Sequence, residues 1–127
     1  MKKLLVLLFS LLISFNSFGE WREITVGNRS GNVHYIDDNR IRENNGYVYW
    51  WELLDYLKPN KHGYYSDKVY KQGDCNLYKF KFLTMNFYKK PMGVGESLTL
   101  SPDPEWDYAL PNSVAETKMD YVCDYVK

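Results

Sequence analysis

The sequence predicts an α+β domain: a mainly antiparallel β-sheet of about five to six strands with one C-terminal helix. Short segments rich in Tyr, Trp, Phe and Val are separated by Gly-, Asn- and Pro-containing turns, which is typical of antiparallel strands. One segment near the C-terminus instead repeats its apolar residues at helical spacing. The two cysteines are Cys75, at the start of the most aromatic segment, and Cys123, in the helical one. A disulfide between them would tie the helix to the sheet.

Residues 1–19 have the three parts of a signal peptide. A basic start at Lys2 and Lys3 precedes an apolar block, and the small residues Ser17 and Gly19 occupy the two positions that signal peptidase reads. The block is shorter than the roughly 20 residues of a spanning helix and no second one follows, so no transmembrane segment is expected in the mature chain. No cysteine stands at the cleavage point, which disfavours a lipid anchor. We expect an exported protein, either periplasmic or extracellular and associated with the cell surface.

The mature chain is expected to form one domain, residues 20–127. Removing 19 of the 127 residues leaves 108, enough for a single hydrophobic core. Because Lys2 and Lys3 leave with the signal peptide, 14 basic residues remain against 16 acidic ones, and the net charge is −2. Nucleic-acid-binding proteins usually carry a clustered positive excess, so no nucleic-acid partner is expected.

The strands are predicted from alternation and from the turns between them. Residues 47–57 carry apolar side chains on both faces, so we expect this strand to be covered by the helix on one side and by loops or a partner subunit on the other. Glu52 and Asp55 interrupt it and are expected at the rim or hydrogen-bonded. The apolar residues of segment 74–88 switch faces near Phe82, which indicates a bulge or bend. The predicted strands are 21–26, 33–36, 47–57, 64–73, 74–88 and 94–100.

Two connections carry further predictions. Residues 37–42 are expected to form a short helical turn, capped by Asp37 or Asp38, with Ile41 pointing inward. After the polar link at 101–104, Trp106 and Tyr108 are expected to fold back as a lid on the core.

The C-terminal segment has the start signal and the periodicity of an α-helix. Ser113 and Glu116 match the capping-box pattern, in which each side chain satisfies a backbone donor at the helix start. Apolar residues then follow at spacings of four, three and four, and draw one stripe that Cys123 adjoins. The stripe consists of Ala115, Met119, Val122 and Val126.

The two cysteines of an exported chain favour one intramolecular disulfide, Cys75–Cys123. An intermolecular disulfide and two free thiols are the alternatives. Closing a loop of 48 residues would, in the chain-entropy model, stabilise the fold by about 4 kcal/mol.

A series of landmarks runs in a fixed order through essentially the whole mature chain. They are a Trp after the signal peptide, Tyr35-Ile36-Asp37, Ile41-Arg42, the segment WELLDY at 51–56, Ser66, Asp74-Cys75, Met92-Gly93, Gly95-Glu96, Trp106, Pro111 with Ser113, and a cysteine in the final helix. As a set they resemble the surface-adhesin protein E family of small exported bacterial proteins. The resemblance implies a mainly antiparallel sheet, a C-terminal helix and the Cys75–Cys123 disulfide. It also implies dimerisation and binding to host matrix proteins such as vitronectin and laminin.

The sequence contains no recognisable catalytic or metal site. His34 and His62 are the only histidines and hence the candidate proton carriers, and neither lies near a nucleophile motif. Two isolated histidines and two cysteines do not form a zinc pattern, and the acidic residues at 103, 105 and 107 lack the glycine and distal glutamate of a calcium loop. We therefore predict no catalytic residue, no metal and no cofactor.

The candidate contact surface consists of four lysines, Lys79, Lys81, Lys89 and Lys90. They would bind acidic partners, glycans or an anionic envelope surface. Alternatively, the first two mark the solvent side of a strand and the last two a hairpin tip.

The 22 aromatic residues fit sugar binding by exposed rings, a dimer interface or, as we favour, a core.

The sequence is interpreted as an exported, non-enzymatic binding module of the adhesin type, with a host matrix protein of the vitronectin or laminin type and a homodimer as expected partners. The alternative is a periplasmic structural or envelope-maintenance protein without a host ligand. A small hydrolase would require a pocket in which His34 or His62 meets carboxylates.

Overall fold

The computed structural model describes residues 21–127, so the predicted signal peptide lies outside the described residues. These residues form an eight-stranded antiparallel sheet and one α-helix. The elements are β1 Trp21–Val26, β2 Val33–Asp37, β3 Arg42–Asn44, β4 Tyr47–Asp55, β5 Ser66–Asp74, β6 Lys79–Lys90, β7 Val94–Leu100, β8 Asp107–Tyr108 and α1 Val114–Tyr125.

The sheet has the order β1-β2-β4-β5-β6-β7, with β3 paired to β4 and β8 paired to β6. Strand neighbours in space are mostly neighbours in sequence, as short turns require. The short strands β3 and β8 were not predicted, because three and two residues are too few to show alternation. Asn45 and Gly46 form the two-residue turn between β3 and β4. Their φ values of 52° and 83° are the positive values that such a hairpin turn requires.

The predicted helical turn after β2 and the predicted bulge near Phe82 are both confirmed. Asp37 caps a 3-10 helix at Asp38–Arg40, and Ile41 is buried behind it. The register shift between β5 and β6 leaves Leu83 without a partner, which places the predicted bulge next to Phe82.

The prediction that the long central strand starts at residue 74 is wrong. The Asp74 carboxylate accepts hydrogen bonds from the backbone N–H groups of Asn76 and Leu77, and this local bonding forms a turn in place of a strand. Tyr78 has a φ of 51°, and β6 begins only at Lys79. Cys75 therefore lies in a hairpin turn and not in the strand itself.

Helix α1 begins as the capping pattern indicates, with one difference. The Ser113 hydroxyl accepts a hydrogen bond from the backbone N–H of Glu116. The Glu116 carboxylate, however, accepts from the backbone N–H of Asn112, because the N–H of Ser113 already bonds the carbonyl of Leu110. Half of the capping box is therefore present.

The hydrophobic core lies between α1 and one face of the sheet, which we call the helix side. The predicted apolar stripe packs into it. Gly73 permits close contact there, because a Cβ atom at this position would lie 2.8 Å from the Trp50 ring and 3.2 Å from the Met119 sulfur. Core residues include Ile36, Ile41, Val48, Trp50, Phe80, Ala109, Met119, Val122 and Cys123.

The predicted disulfide Cys75–Cys123 is present, with a Cα–Cα distance of 5.8 Å. It joins the β5–β6 turn to the last turns of α1 across a sequence separation of 48 residues. The helix that covers the core is thus fastened covalently to the sheet.

The opposite face, which we call the open face, has no second layer among residues 21–127. The 3-10 turn Pro91–Gly93 covers Leu53 at one end, and Trp106 packs on Tyr47 at the other, with ring centroids 5.7 Å apart. Loops therefore cover parts of β4, as expected. Trp106 lies on the open face and not over the core, and Tyr108 is 65% exposed, so the predicted lid over the core is wrong.

Candidate functional site

The open face carries a row of aromatic rings. Alternate residues of β4 and β5 point to it, since the register pairs Trp51 with Tyr70 and Tyr49 with Gln72. The Tyr70 ring lies 5.0 Å from that of Trp51 and 6.1 Å from that of Tyr49, measured between centroids. All three side chains are partly exposed. The face thus presents a contiguous aromatic surface to solvent.

Lys79 and Lys81 lie together on this face. Their Nζ atoms are 4.7 and 4.4 Å from the centroid of the Trp106 ring, so both ammonium groups are held by cation–π contacts. No ion pair involves either lysine within residues 21–127. The structure therefore brings this half of the predicted contact surface together on one aromatic ring, which we call the lysine patch.

Lys89 and Lys90 lie at the other end of β6. Lys89 is eight positions after Lys81 in the chain, which corresponds to about 26 Å along an extended strand. The Lys89 Nζ atom lies 4.2 Å from the centroid of the Tyr64 ring, and both lysines are exposed. The four predicted lysines thus form two separate pairs and not one site.

A second cationic pair, Arg40 and Arg42, adjoins the aromatic row. Both side chains are exposed, and with Trp51 and Tyr70 they line a shallow cleft of about 170 Å³. Arg40 is 3.4 Å from the Asp37 carboxylate and stays 67% exposed, whereas Arg42 has no ion pair within residues 21–127. Sequence reasoning missed this pair because it placed both arginines in a local helical turn. The pairing of Arg42 with Tyr49 across β3 and β4 puts it on the open face.

Carboxylates lie on both sides of the molecule. The exposed surface of α1 carries Asp120 and Asp124, with the partly exposed Glu116 one turn before them. On the open face, Asp55 and Asp74 accept hydrogen bonds from backbone N–H groups. Glu23 is exposed on the same face, because it pairs with Tyr35, which in turn pairs with Leu53. The lysines and arginines of the open face therefore share it with carboxylates.

The buried charges lie between α1 and the sheet. Glu52, which is 5% exposed, accepts a hydrogen bond from the Trp50 indole at 2.9 Å and forms ion pairs with Lys71 at 3.0 Å and Lys118 at 2.6 Å. Burial alone would raise the pKa of Glu52, but the two ammonium groups outweigh it and lower the pKa to about 2. Burial lowers the pKa of Lys71 to about 8. Glu52 is therefore hydrogen-bonded, as expected, but not at the rim.

His34 adjoins this cluster. Its Nδ1 atom is 3.3 Å from the Lys118 Nζ atom, and burial together with Lys118 lowers the pKa of His34 to about 4. Nearby Asp67 accepts a hydrogen bond from the Tyr56 hydroxyl, and burial raises the pKa of Asp67 to about 6. A histidine thus does lie near a carboxylate, that of Glu52. Glu52, Lys71 and Lys118 are only 5–6% exposed, however, so these charged groups lie in the protein interior and not on the surface.

Sequence reasoning missed the two buried lysines, although signals were present. Lys71 alternates with Val69 and Gly73 on the core face of β5. Lys118 lies four residues before Val122 and therefore shares the apolar stripe of α1. A carboxylate on the core face of β4 also requires buried cations as partners.

Within the described part of the chain, no helix is both long and apolar enough to cross a membrane. No group of three His, Cys, Asp or Glu residues in that part is arranged to hold a metal ion.

One comparison with known proteins identifies a family, and another identifies similar folds. The family model described as "Surface-adhesin protein E" matches residues 21–124. A search of curated proteins finds no match. The fold is similar to that of Haemophilus influenzae protein E in crystal form II, with a TM-score of 0.58, 20% sequence identity, and coverage of 86% of this chain and 100% of that one. It is also similar to the selenomethionine form of the same protein, with a TM-score of 0.60, 19% identity, and coverage of 82% and 85%.

At this level of identity the structural likeness concerns the fold, whereas the family match extends over nearly all the described residues. The chain belongs to the surface-adhesin protein E family.

Proposed function

We propose that the chain is an exported, non-enzymatic adhesin-like protein that contacts its partner through the open face around Lys79 and Lys81. The family is one of surface adhesins and not of enzymes. The observation that carries the proposal is the pair of lysine ammonium groups held on Trp106, at 4.7 and 4.4 Å, on a face without a second layer in residues 21–127. The partners we propose are host matrix proteins of the vitronectin or laminin type, met through acidic groups on their surface.

The lysine pair is prepared for binding in two ways. Contact with the Trp106 ring restricts both side chains before a partner arrives, so less conformational entropy is lost on association. Because neither ammonium group has an ion-pair partner among the described residues, binding breaks no existing salt bridge. Positive charge on this face would also speed the encounter with an acidic surface.

A Lys79→Glu, Lys81→Glu variant is expected to bind immobilised vitronectin or laminin about tenfold more weakly, because two attractive contacts become repulsive. Surface plasmon resonance would measure the affinity. The matched control is Lys58→Glu, Lys61→Glu, which makes the same charge change in the exposed loop before β5. The control should bind like the wild type; equal losses in both variants would show that only net charge matters.

The other predicted pair is tested separately by a Lys89→Glu, Lys90→Glu variant in the same assay. We propose that Lys89 and Lys90 contribute less than Lys79 and Lys81, because they lie about 26 Å away along β6. A larger loss in this variant would move the contact surface to the β6–β7 end of the sheet.

The alternative is a periplasmic structural or envelope-maintenance protein. Labelling intact cells with an antibody against the folded domain separates the two functions. An adhesin must be labelled without permeabilising the cells, whereas labelling only after permeabilisation would exclude adhesion.

We also propose that the chain is exported by the signal peptide at residues 1–19 and has no lipid anchor. Homodimerisation stays a prediction, which the exposed apolar side chains of edge strand β7, such as Leu98 and Leu100, support.

A further inference from the structure

The cleft between Arg40, Arg42, Trp51 and Tyr70 is distinct from the lysine patch and is not used by the function proposed above. We propose that it binds an acidic polysaccharide, one sugar ring of which packs on the aromatic side chains while its carboxylate or sulfate group pairs with the arginines.

The aromatic part of the cleft suits a sugar ring. Trp51 and Tyr70 lie side by side on adjacent strands, 5.0 Å apart between ring centroids, with Tyr49 extending the surface. The electron-rich faces of aromatic rings attract the polarised C–H groups of a pyranose. No lysine contacts the rings of Trp51 or Tyr70 in residues 21–127, whereas the Trp106 ring already carries two. Of these surfaces, the cleft is the one with rings free to accept a ligand.

The arginines supply the charge complementarity. A guanidinium group donates two parallel hydrogen bonds to a carboxylate or sulfate, a geometry that an ammonium group cannot match. Arg42 has no ion pair among the described residues, and the only ion pair of Arg40 is the 3.4 Å contact with Asp37, on a side chain that is 67% exposed. Both groups can therefore turn to an anionic ligand at little cost.

The size of the cleft favours a polymer over a small molecule. Sites that enclose a small ligand usually measure about 300–1,000 Å³, and this cleft of about 170 Å³ is smaller and open. It fits one unit of a chain that continues across the open face. A nucleic acid is also an anionic polymer, and the experiment below includes an oligonucleotide to separate the two ligands.

The test is isothermal titration calorimetry, which measures the affinity of the mature protein for a heparin oligosaccharide at physiological salt. Arg40→Gln, Arg42→Gln is expected to weaken binding at least tenfold. Lys58→Gln, Lys61→Gln removes the same charge from the loop before β5 and is expected to change the affinity less than threefold. Neutral dextran should not bind. A Tyr70→Leu variant tests the contribution of the aromatic ring to binding. The Arg40→Gln, Arg42→Gln variant tests the proposal even if Tyr70→Leu does not fold, because both arginines are exposed.

Three results would overturn the proposal: no binding of heparin by the wild type, equal loss in the arginine and lysine variants, or equally tight binding of a single-stranded oligonucleotide of matched charge. The last two would show a general affinity for anionic polymers. No matrix protein is present in this experiment, so its failure is distinguishable from failure of the lysine patch to bind vitronectin or laminin.

Discussion

A Cys123→Ser variant is expected to lose about 2–5 kcal/mol of its free energy of unfolding. The Cys75–Cys123 bond closes a loop of 48 residues, and in the chain-entropy model such a loop contributes about 4 kcal/mol by restricting the unfolded chain. Small domains have a total stability of about 5–15 kcal/mol. The loss should be large because α1 is the only helix that covers the core in residues 21–127.

Urea unfolding monitored by circular dichroism, with and without reductant, measures this effect. The wild type should lose stability when dithiothreitol is added, and the Cys123→Ser variant should be insensitive to it. Cys75→Ser is the matched control, because it breaks the same bond from the turn and should match Cys123→Ser closely. A wild-type midpoint unchanged by reductant would contradict a stabilising disulfide.

The second large effect is expected from Glu52→Gln, which should cost about 3–5 kcal/mol at pH 7. Glutamine keeps the shape and can still accept the Trp50 hydrogen bond, but it removes the charge between Lys71 and Lys118. Two ammonium groups, 5% and 6% exposed, would then be buried without a counter-ion. Glu96→Gln, on the exposed strand β7, is the control and should change little.

The pH dependence of the free energy of unfolding shows whether the ionised Glu52 carboxylate stabilises the fold. The pKa of Glu52 is lowered from its ordinary 4.5 to about 2, so folding favours the ionised carboxylate. The stability it contributes is fully present above about pH 4.5 and is lost as the pH falls toward 2. The stability difference between wild type and Glu52→Gln should therefore shrink as the pH falls below 4.5. A difference that grows with acid would contradict the ion-pair assignment.

Replacing Glu52, Lys71 and Lys118 together measures the net contribution of the ion-pair cluster to stability. Glu52→Gln measures instead the free energy lost when one member is removed. A Glu52→Leu, Lys71→Met, Lys118→Met variant leaves no buried charge among these three positions. Such replacements are often neutral or stabilising by about 1–4 kcal/mol. We expect the triple variant to be more stable than Glu52→Gln. If it is less stable than the wild type, the cluster is a net source of stability.

The longer elements could be predicted from the sequence because each repeats a pattern several times. β7 and the apolar stripe of α1 follow from alternation and helical periodicity. The start of β6 could not, because the Asp74 carboxylate bonds two backbone N–H groups and competes with strand pairing. The strand β3 exists only because its three residues pair with β4.

The candidate site was predictable only in part. Lys79 and Lys81 stand at alternate positions of a strand, so their shared face follows from the period. Their partner Trp106 comes from a distant connection, and the cleft of Arg40 and Arg42 depends on how β3 and β4 pair. Contacts between segments far apart in the chain leave no local periodicity, so the sequence did not reveal them.

The most direct test of the open face as the contact surface is lysine-acetylation footprinting of the protein alone and in complex with vitronectin or laminin. Mass spectrometry would report the reactivity of each lysine. We predict that Lys79 and Lys81 become protected in the complex while Lys58 and Lys61 react as before. Unchanged reactivity of Lys79 and Lys81 in a saturated complex would contradict the proposed contact surface.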